Sequence, residues 1–460
     1  MNTRELVLDT FLEMEKTESF GDSLIRNVLD KYDYEDPKEK AFFKRLAEGT
    51  LERRITLDWA IDCYSKTPVR KMKPLIRNLL RLSAYQILYM EAVPDSAACN
   101  EAVKLAKKRG FSALGGFVNG VLRTLSREKN RLPWPDSEKE WEKSVSVRYS
   151  LPEWLAALWA GQYGKAKTEK LGAGICQKRP VIIRFGQSLT DEQRSSALAA
   201  IREMGVTAQK HPLYPYAFVL DGCDGVAALP GFSEGLFYVQ DVSSMLAVEC
   251  AGILPGMRVM DLCSAPGGKA ILAYEKLMKN GGAKDGGECA EGVLRAGDVS
   301  ERKAELIRGN AARMGCGNME ISVWDAAVHM ERLDGWADVV LADVPCSGLG
   351  VMGRKKDIRY RVTAKDLESL TGLQRKILRA SWQYVKPGGI LLYSTCTVNK
   401  TENEEMVRWL TKRYPFETES LNAYLPSCLH SPQTESGMLQ LLPGEHDTDG
   451  FFMARLRRKQ

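Results

Sequence analysis

Three observations predict a multidomain chain, with an all-helical N-terminal region, a small α+β module and a C-terminal α/β domain. At 460 residues the chain exceeds the roughly 100–200 residues of a single domain and suggests about two to four units. From the N-terminus to about residue 130, apolar residues recur at three- and four-residue spacings, the period of helices that bury one face. From about residue 236 onward, short apolar strands alternate with helical stretches, the pattern of a parallel sheet covered by helices.

The composition, 44% hydrophobic and 27% charged, is that of a globular chain and excludes a disordered or collagen-like one. Sixty-five basic against 59 acidic residues leave a formal charge of +6. That surplus is compatible with a polyanionic partner without demonstrating one.

In residues 1–130 the helical pattern is carried by Leu6, Phe11 and Leu12, by Leu24, Ile25, Val28 and Leu29, and by Phe42, Phe43, Leu46 and Leu51. Charge is uneven across this region. Residues 1–50 carry 8 basic and 12 acidic side chains, whereas residues 51–130 carry 15 and 7. A basic face on a helical bundle is a candidate binder of a phosphate backbone, and a solvated surface accounts for the same excess equally well. The run RLPWPDSEKEW, with Pro133 and Pro135 in a highly charged setting, reads as a linker over 131–149. Residues 150–235 then combine a helical stretch at 152–163, a strand at 180–185, a helix at 191–204 and short apolar segments, which together predict the α+β module, possibly an RNA-binding one.

The C-terminal domain, residues 236–460, has strand candidates at 257–263, 292–298, 319–325, 337–344 and 388–396, separated by helical composition such as SERKAELIRGNAARMG. A doubly wound parallel sheet binds ligands beyond the carboxyl ends of its strands, so the residues following each strand are the candidate site. The first strand ends in Asp261-Leu-Cys-Ser-Ala-Pro-Gly-Gly-Lys269, where Gly267 and Gly268 allow close approach of the backbone to a ligand. The spacing matches neither a nucleoside triphosphate loop nor a dinucleotide fingerprint. Asp298, Asp325 and Asp343 close the next three strands. A single such aspartate is more often a helix cap, but four polar strand ends around one crevice favour a nucleoside-bearing cofactor.

Eleven cysteines lie scattered without a CxxC pair, and there are only four histidines, so neither a zinc site nor a disulfide framework is expected. The first residues lack a basic segment followed by an apolar run, and no apolar stretch approaches the ~18 residues of a membrane span, which predicts a cytoplasmic protein. Two cysteines stand apart by position. Cys346 follows the fourth strand in Asp343-Val-Pro-Cys-Ser-Gly348, and Cys396 ends the fifth in Ser394-Thr-Cys-Thr397. Any one cysteine is more often buried structure, but a pair at strand ends facing one crevice points to thiolate chemistry.

DLCSAPGGK, RAGDVSERKAELIRGNAARMG, LADVPCSGLG and LLYSTCTVNKTENEE resemble the successive motifs of S-adenosylmethionine-dependent RNA cytosine-C5 methyltransferases. LIRNLLRLSAYQILYMEAVPDSAACNEAVKLAK and FVNGVLR resemble the NusB domain, and the combination is similar to the RsmB (Sun or Fmu) family of bacterial 16S ribosomal RNA methyltransferases over nearly the whole chain. The resemblance implies a Rossmann-like methyltransferase domain, S-adenosylmethionine as cofactor, and 16S rRNA as partner of a monomer with no metal and no membrane. It assigns Cys396 as the nucleophile that adds to carbon 6 of cytosine, Asp343 as an assistant to that addition that also faces the cofactor, and Cys346 as the group that serves release. Cys263, Ser264, Ala265, Pro266, Gly267, Gly268 and Lys269 would hold the methionine and ribose portion, Asp298 the ribose hydroxyls, and Asp325 the adenine region. Lys269 also reads as an ordinary first-turn lysine.

Arg354-Lys-Lys-Asp-Ile-Arg-Tyr-Arg361 places five basic residues after the Cys346 loop, where RNA would approach, with Tyr360 able to stack on a base; a solvated charged helix is the alternative. The basic residues of Arg455-Leu-Arg-Arg-Lys add positive charge near the C-terminus. Lys356 stands where the family usually has a proline before Asp357, and NGGAKDGGECAEG (280–292), containing Cys289, looks like an inserted surface loop. The rival functions are a C5 methyltransferase for another RNA, such as tRNA, and a non-catalytic RNA-binding or assembly protein. A DNA methyltransferase fits less well, because those enzymes use the Pro-Cys thiol as nucleophile and carry a Glu-Asn-Val motif that this chain lacks.

Overall fold

The computed structural model describes residues 2–17, 21–31, 36–223, 225–278 and 292–460. Most of the glycine-rich insertion, including Cys289, lies outside these. The described residues form two compact units, one of residues 1–177 with 352–361 and the other of 178–351 with 362–460.

Among the described residues, the part of the first unit up to residue 177 holds α1 (Thr3–Thr17), α2 (Gly21–Lys31), α3 (Pro37–Glu52), α4 (Arg54–Tyr64), α5 (Pro74–Tyr89), α6 (Asp95–Lys108), α7 (Gly115–Glu128), α8 (Trp141–Tyr149), α9 (Glu153–Tyr163) and α10 (Lys165–Ile175). Helix α5 is the hub. It starts on Pro74, whose fixed backbone suits a first helical position, and eleven of its residues from Ile76 to Ile87 are buried. A helix enclosed on nearly every side belongs to the middle of a bundle. Its one enclosed cation, Arg81, is matched by Asp58, with Nε–Oδ1 at 2.6 Å and Nη2–Oδ2 at 2.7 Å, a bidentate geometry that offsets the loss of water.

The expected linker and the start of the expected module are part of this helical unit. Pro133 and Pro135 do interrupt helix, but Trp141, Val145 and Val147 of α8 are buried. Thr56 Oγ1 donates to the carbonyl of Val147 at 2.6 Å, and the amide of Ile55 donates to Ser150 Oγ at 2.9 Å. These contacts attach α8 to α4, and the α+β pattern begins only after residue 177.

Residues 352–361 give a clear correction. The basic run expected to face RNA completes the helical unit instead. Arg359 is fully buried, with its guanidinium donating to the carbonyls of Glu52, Tyr149 and Met352 at 3.2–3.4 Å. The Tyr360 hydroxyl donates to the Glu52 carbonyl and pairs with Ser150 Oγ, both at 2.8 Å. Arg54 lies over the Tyr360 ring, 3.9 Å from its centre, on the aromatic face assigned to a base. Lys356 pairs with Glu52 at 2.9 Å, and Asp357 accepts from the amide of Gly21 at 3.0 Å. Buried cations need partners, and the polypeptide supplies them here.

The second unit holds two sheets. The smaller is antiparallel, built from β1 (Val181–Phe185), β2 (Thr207–Lys210), β3 (Ala217–Asp221) and β4 (Phe237–Val239) in the order β2-β3-β1-β4. Its covering helix α11 (Asp191–Glu203) starts with a reciprocal cap between Thr190 and Gln193.

The larger sheet comprises β5 (Arg258–Asp261), β6 (Val293–Asp298), β7 (Glu320–Val323), β8 (Ala337–Asp343), β9 (Val385–Thr395), β10 (Phe416–Thr418), β11 (Met438–Leu441) and β12 (Phe451–Arg458). Its order is β10-β12-β9-β8-β5-β6-β7, with β11 also on β12. The strands from β9 to β7 are parallel, and α12 (Val242–Cys250), α13 (Gly268–Met278), α14 (Glu301–Arg313), α16 (Ala364–Ser381) and α17 (Glu404–Arg413) accompany them, while the short α15 (Ile358–Arg361) belongs to the first unit. The sequence direction of neighbours reverses between β5 and β8, which makes the gap at their carboxyl ends the expected ligand crevice.

The basic C-terminal residues are a second correction. Arg455, Arg457 and Arg458 lie on β12, which runs antiparallel to β9, so the run is built into the sheet. Arg455 is buried, donating to the carbonyls of Cys250 and Ala251 at 2.8 Å and to Glu419 at 3.0 Å. No helix among the described residues is long and apolar enough to cross a membrane.

The two readings of residues 354–361 predict different stabilities. Arg359→Ala strands three carbonyls and should lower unfolding free energy by roughly 2–4 kcal/mol. Arg354→Ala, at an exposed position of the same run, should change it by less than about 0.5 kcal/mol. Chemical denaturation of the full chain, followed by helical signal, checks this; equal effects would return the run to the surface.

Candidate active site

The larger sheet delivers its polar strand ends to one place. Asp343 ends β8 and sits in register with Ser394 of β9. One carboxylate oxygen of Asp343 accepts from Ser394 Oγ and the other from Lys269 Nζ, both at 2.7 Å. Lys269 is thus more than a first-turn lysine of α13: its ammonium lies against Asp343 and 5.3 Å from the centre of the Phe451 ring. Burial alone would lower its pKa, but Asp343 first, then Asp261 and Cys396, outweigh that and raise it.

Asp261, at the end of β5, is fully buried, with no donor in full hydrogen-bond geometry at either carboxylate oxygen, although Ser264 and the Cys263 amide lie close enough to favour its charge. Burial, reinforced by Asp343 and opposed by Lys269, Ser264 and the Cys263 amide, pushes its pKa up to about 7.

The turn after β5 is tightly built. Ser264 exchanges hydrogen bonds with Gly297 of β6 through its amide (2.9 Å) and its hydroxyl (3.2 Å), which ties the turn to the neighbouring strand. Ala265 and Pro266 are joined by a cis peptide, and Gly267 has φ +110°, a conformation side chains rarely adopt. A Cβ on Gly268 would lie 2.9 Å from the Tyr238 ring. The Cys263 thiol is half-buried, and burial raises its pKa.

Asp298 is buried at the end of β6 and accepts from the amides of Ala265 (3.2 Å) and Val299 (2.8 Å) and from Lys303 Nζ (2.9 Å). A carboxylate offers roughly four acceptor positions, so Asp298 retains capacity for a hydroxyl. Asp325, one residue beyond Trp324, whose amide donates to the Asp298 carbonyl at 3.1 Å, is exposed and accepts from the amide of Ala327 at 2.9 Å.

Cys346 and Cys396 meet. Their sulfurs are 3.2 Å apart, and no disulfide joins any described cysteine. The hydrogen bond with Cys396, then burial, then the charges of Cys396 and Glu402 raise the Cys346 pKa well above its ordinary value. The loop carrying it is fastened by the Gly350 amide donating to the Cys396 carbonyl (3.0 Å) and the Gly450 amide donating to the Gly350 carbonyl (2.9 Å). A Cβ on Gly350 would come within 2.0 Å of the Gly450 carbonyl oxygen, so this junction requires glycine.

The sequence reading missed the polar layer beneath the sulfurs. Glu402, fully buried, accepts from the Ser347 amide (2.9 Å) and hydroxyl (2.6 Å), from Gln374 Nε2 (2.9 Å) and from Asn399 Nδ2 (3.1 Å). Only its place in the run VNKTENEE, just after the second cysteine, pointed toward it.

Asp261 makes apo-protein stability depend on pH. Its folded pKa, near 7, lies above its unfolded value near ~3.9, so the folded state binds the extra proton between those values and stability falls as pH rises through that window. The loss amounts to as much as roughly 4 kcal/mol. Asp261→Asn should remove most of the decline between pH 5 and 8, read from thermal midpoints; parallel profiles for variant and wild type would contradict it.

A family model for the 16S rRNA methyltransferase RsmB/F matches residues 254–457, and one for the NusB family matches residues 1–127. A Bacillus subtilis protein named "Probable ribosomal RNA small subunit methyltransferase B" is 34% identical over 100% of this chain and 99% of its own length. Ribosomal RNA small subunit methyltransferase B of Cronobacter sakazakii is 30% identical over 92% of this chain and 91% of its own. Among solved structures, a methyltransferase homologue from Pyrococcus horikoshii shares the fold over 70% of this chain and 99% of its own, with a TM-score of 0.56 at 24% identity. With two domain models in the expected order, and relatives matched along their full length, the chain belongs to the ribosomal RNA small subunit methyltransferase B family.

Proposed function

We propose that this chain methylates carbon 5 of a cytosine in 16S ribosomal RNA, using S-adenosylmethionine, through a covalent bond between Cys396 and carbon 6 of the base. The observation that carries the reading is the pair of sulfurs 3.2 Å apart beside the Lys269–Asp343–Ser394 cluster. Carbon 5 of cytosine is a weak nucleophile, and thiolate addition at carbon 6 moves electron density onto it. Cys396 supplies the thiolate, and Cys346 faces it from the neighbouring loop. Asp343 is the group placed to assist that addition at ring nitrogen 3, with Lys269 and Ser394 fixing its carboxylate.

The residues present fit the cofactor. S-adenosylmethionine supplies an electrophilic methyl group on a sulfonium centre. Asp261 offers a buried carboxylate with no donor in full hydrogen-bond geometry, the turn from Cys263 to Gly268 lets backbone approach closely, and Asp298 retains an acceptor position for a ribose hydroxyl. Asp325 would reach the adenine region only after leaving its turn. After methylation, water takes the carbon 5 proton, the electron pair left behind forms the double bond between carbons 5 and 6, and the bond between carbon 6 and Cys396 breaks, which restores the thiolate. Cys346 is the group placed to serve that release.

The helical unit would dock the RNA. Arg70, Lys71, Lys73 and Lys107 are exposed on it, as counterion release by a phosphate backbone requires. Ribosomal RNA as the substrate places the reaction in the cytoplasm.

With methyl-labelled S-adenosylmethionine and naked 16S RNA, label should appear on carbon 5 of cytosine. No label on cytosine would end the enzymatic reading, and label on tRNA alone would move the substrate there. The cysteine roles separate by trapping. Cys346→Ala should accumulate a protein–RNA adduct on denaturing gels, and Cys396→Ser should form none and lose several orders of magnitude in kcat; the opposite pattern would reverse the assignment.

A further inference from the structure

The buried polar layer beneath the two sulfurs has no part in the chemistry above, although it spans both cysteine loops. Glu402 is enclosed by protein and accepts four hydrogen bonds, two of them from Ser347, the residue after Cys346. A third comes from Asn399, three residues after Cys396, and the fourth from Gln374 of α16, whose same Nε2 also donates to the Pro345 carbonyl at 3.0 Å. Ser347 Oγ and Thr397 Oγ1 are 2.7 Å apart, a second bridge between the loops. Tyr393 of β9 donates to the Glu402 carbonyl at 2.6 Å, and Asn403 bonds both Thr395 Oγ1 (2.6 Å) and the Thr397 carbonyl (3.0 Å). One carboxylate therefore sets where Cys346 stands relative to Cys396.

We infer that Glu402 is a positioning residue for the release half of the reaction, holding the Cys346 loop against the Cys396 loop by accepting both polar hydrogens of Ser347. The inference rests on the proposed two-cysteine chemistry and adds a residue to it. The geometry explains why a carboxylate is needed. Every group pointing at its two oxygens donates a hydrogen, so four donors converge on one acceptor pair, and a charged acceptor makes such bonds shorter and stronger than a neutral one. An amide at this position would aim its own N–H at donors on one side. That loosens the Ser347 arm while leaving the Cys396 arm tied by Asn403, which does not depend on Glu402 side-chain oxygens.

The attack step should therefore survive better than release. In Glu402→Gln, kcat should fall about ten- to hundredfold, with KM for S-adenosylmethionine and RNA unchanged, and a covalent adduct should accumulate on ordinary RNA as in Cys346→Ala. Ser347→Ala, which removes the hydroxyl from the same arm, should give a weaker effect of the same kind. Because the two residues act through one contact, the double variant should be no worse than Glu402→Gln alone. Wild-type turnover in Glu402→Gln would overturn the inference, as would lost turnover without an adduct while S-adenosylmethionine binding by calorimetry stays intact. Absence of an adduct in Cys346→Ala would count instead against the two-cysteine chemistry itself.

Discussion

The carboxylate of Asp343 is where the sheet, the cofactor turn and the cysteine pair are made to agree. Ser394 reaches one of its oxygens across a parallel register pair, and Lys269 reaches the other from the first turn of α13. The register of β8 against β9 fixes the first contact, so a slip of one residue would turn the donors to the opposite face. The length of the glycine turn after β5 fixes the second. Three segments far apart in the chain thus share one small anion, and the sulfur pair is carried on the loops that leave two of them. The buried Asp261 adds a second acid near it, whose charge burial and Asp343 disfavour.

The site contains two carboxylates with contrasting surroundings, and the contrast divides their labour. Asp343 has a charged or hydroxyl donor on each oxygen, whereas no donor reaches Asp261 in full hydrogen-bond geometry. Environments that push neighbouring groups apart in protonation are a recurring device for placing acid and base roles close together.

Legibility in the sequence followed the physics of each element. The parallel strands were readable because both faces are covered, which turns segments such as Val339–Ala342 and Ile390–Tyr393 into continuous apolar runs. Cys346 and Cys396 were readable because position after a strand is enough to aim a side chain at the crevice. Glu402 was not, since VNKTENEE has the composition of a solvated turn and nothing in it reveals enclosure. Arg359 and Tyr360 were misplaced for a related reason: their partners are main-chain carbonyls, which carry no trace in composition. Helix α8 was hidden by the charges of SEKEWEK, while the few apolar residues that bury it, Trp141, Val145 and Val147, are sparse.

The contribution of residues 352–361 to the helical unit has a consequence for synthesis of the chain. Helices α1 to α10 are complete by Ile175, yet the buried guanidinium of Arg359 and the Tyr360 hydroxyl that close this unit are encoded more than 170 residues later. At about 5–20 residues per second, the nascent helical unit waits roughly ten to thirty seconds for its last piece. During that interval the carbonyls of Glu52 and Tyr149 must be satisfied by water or by another molecule, so the growing chain passes through a stage in which its helical half is made but still open.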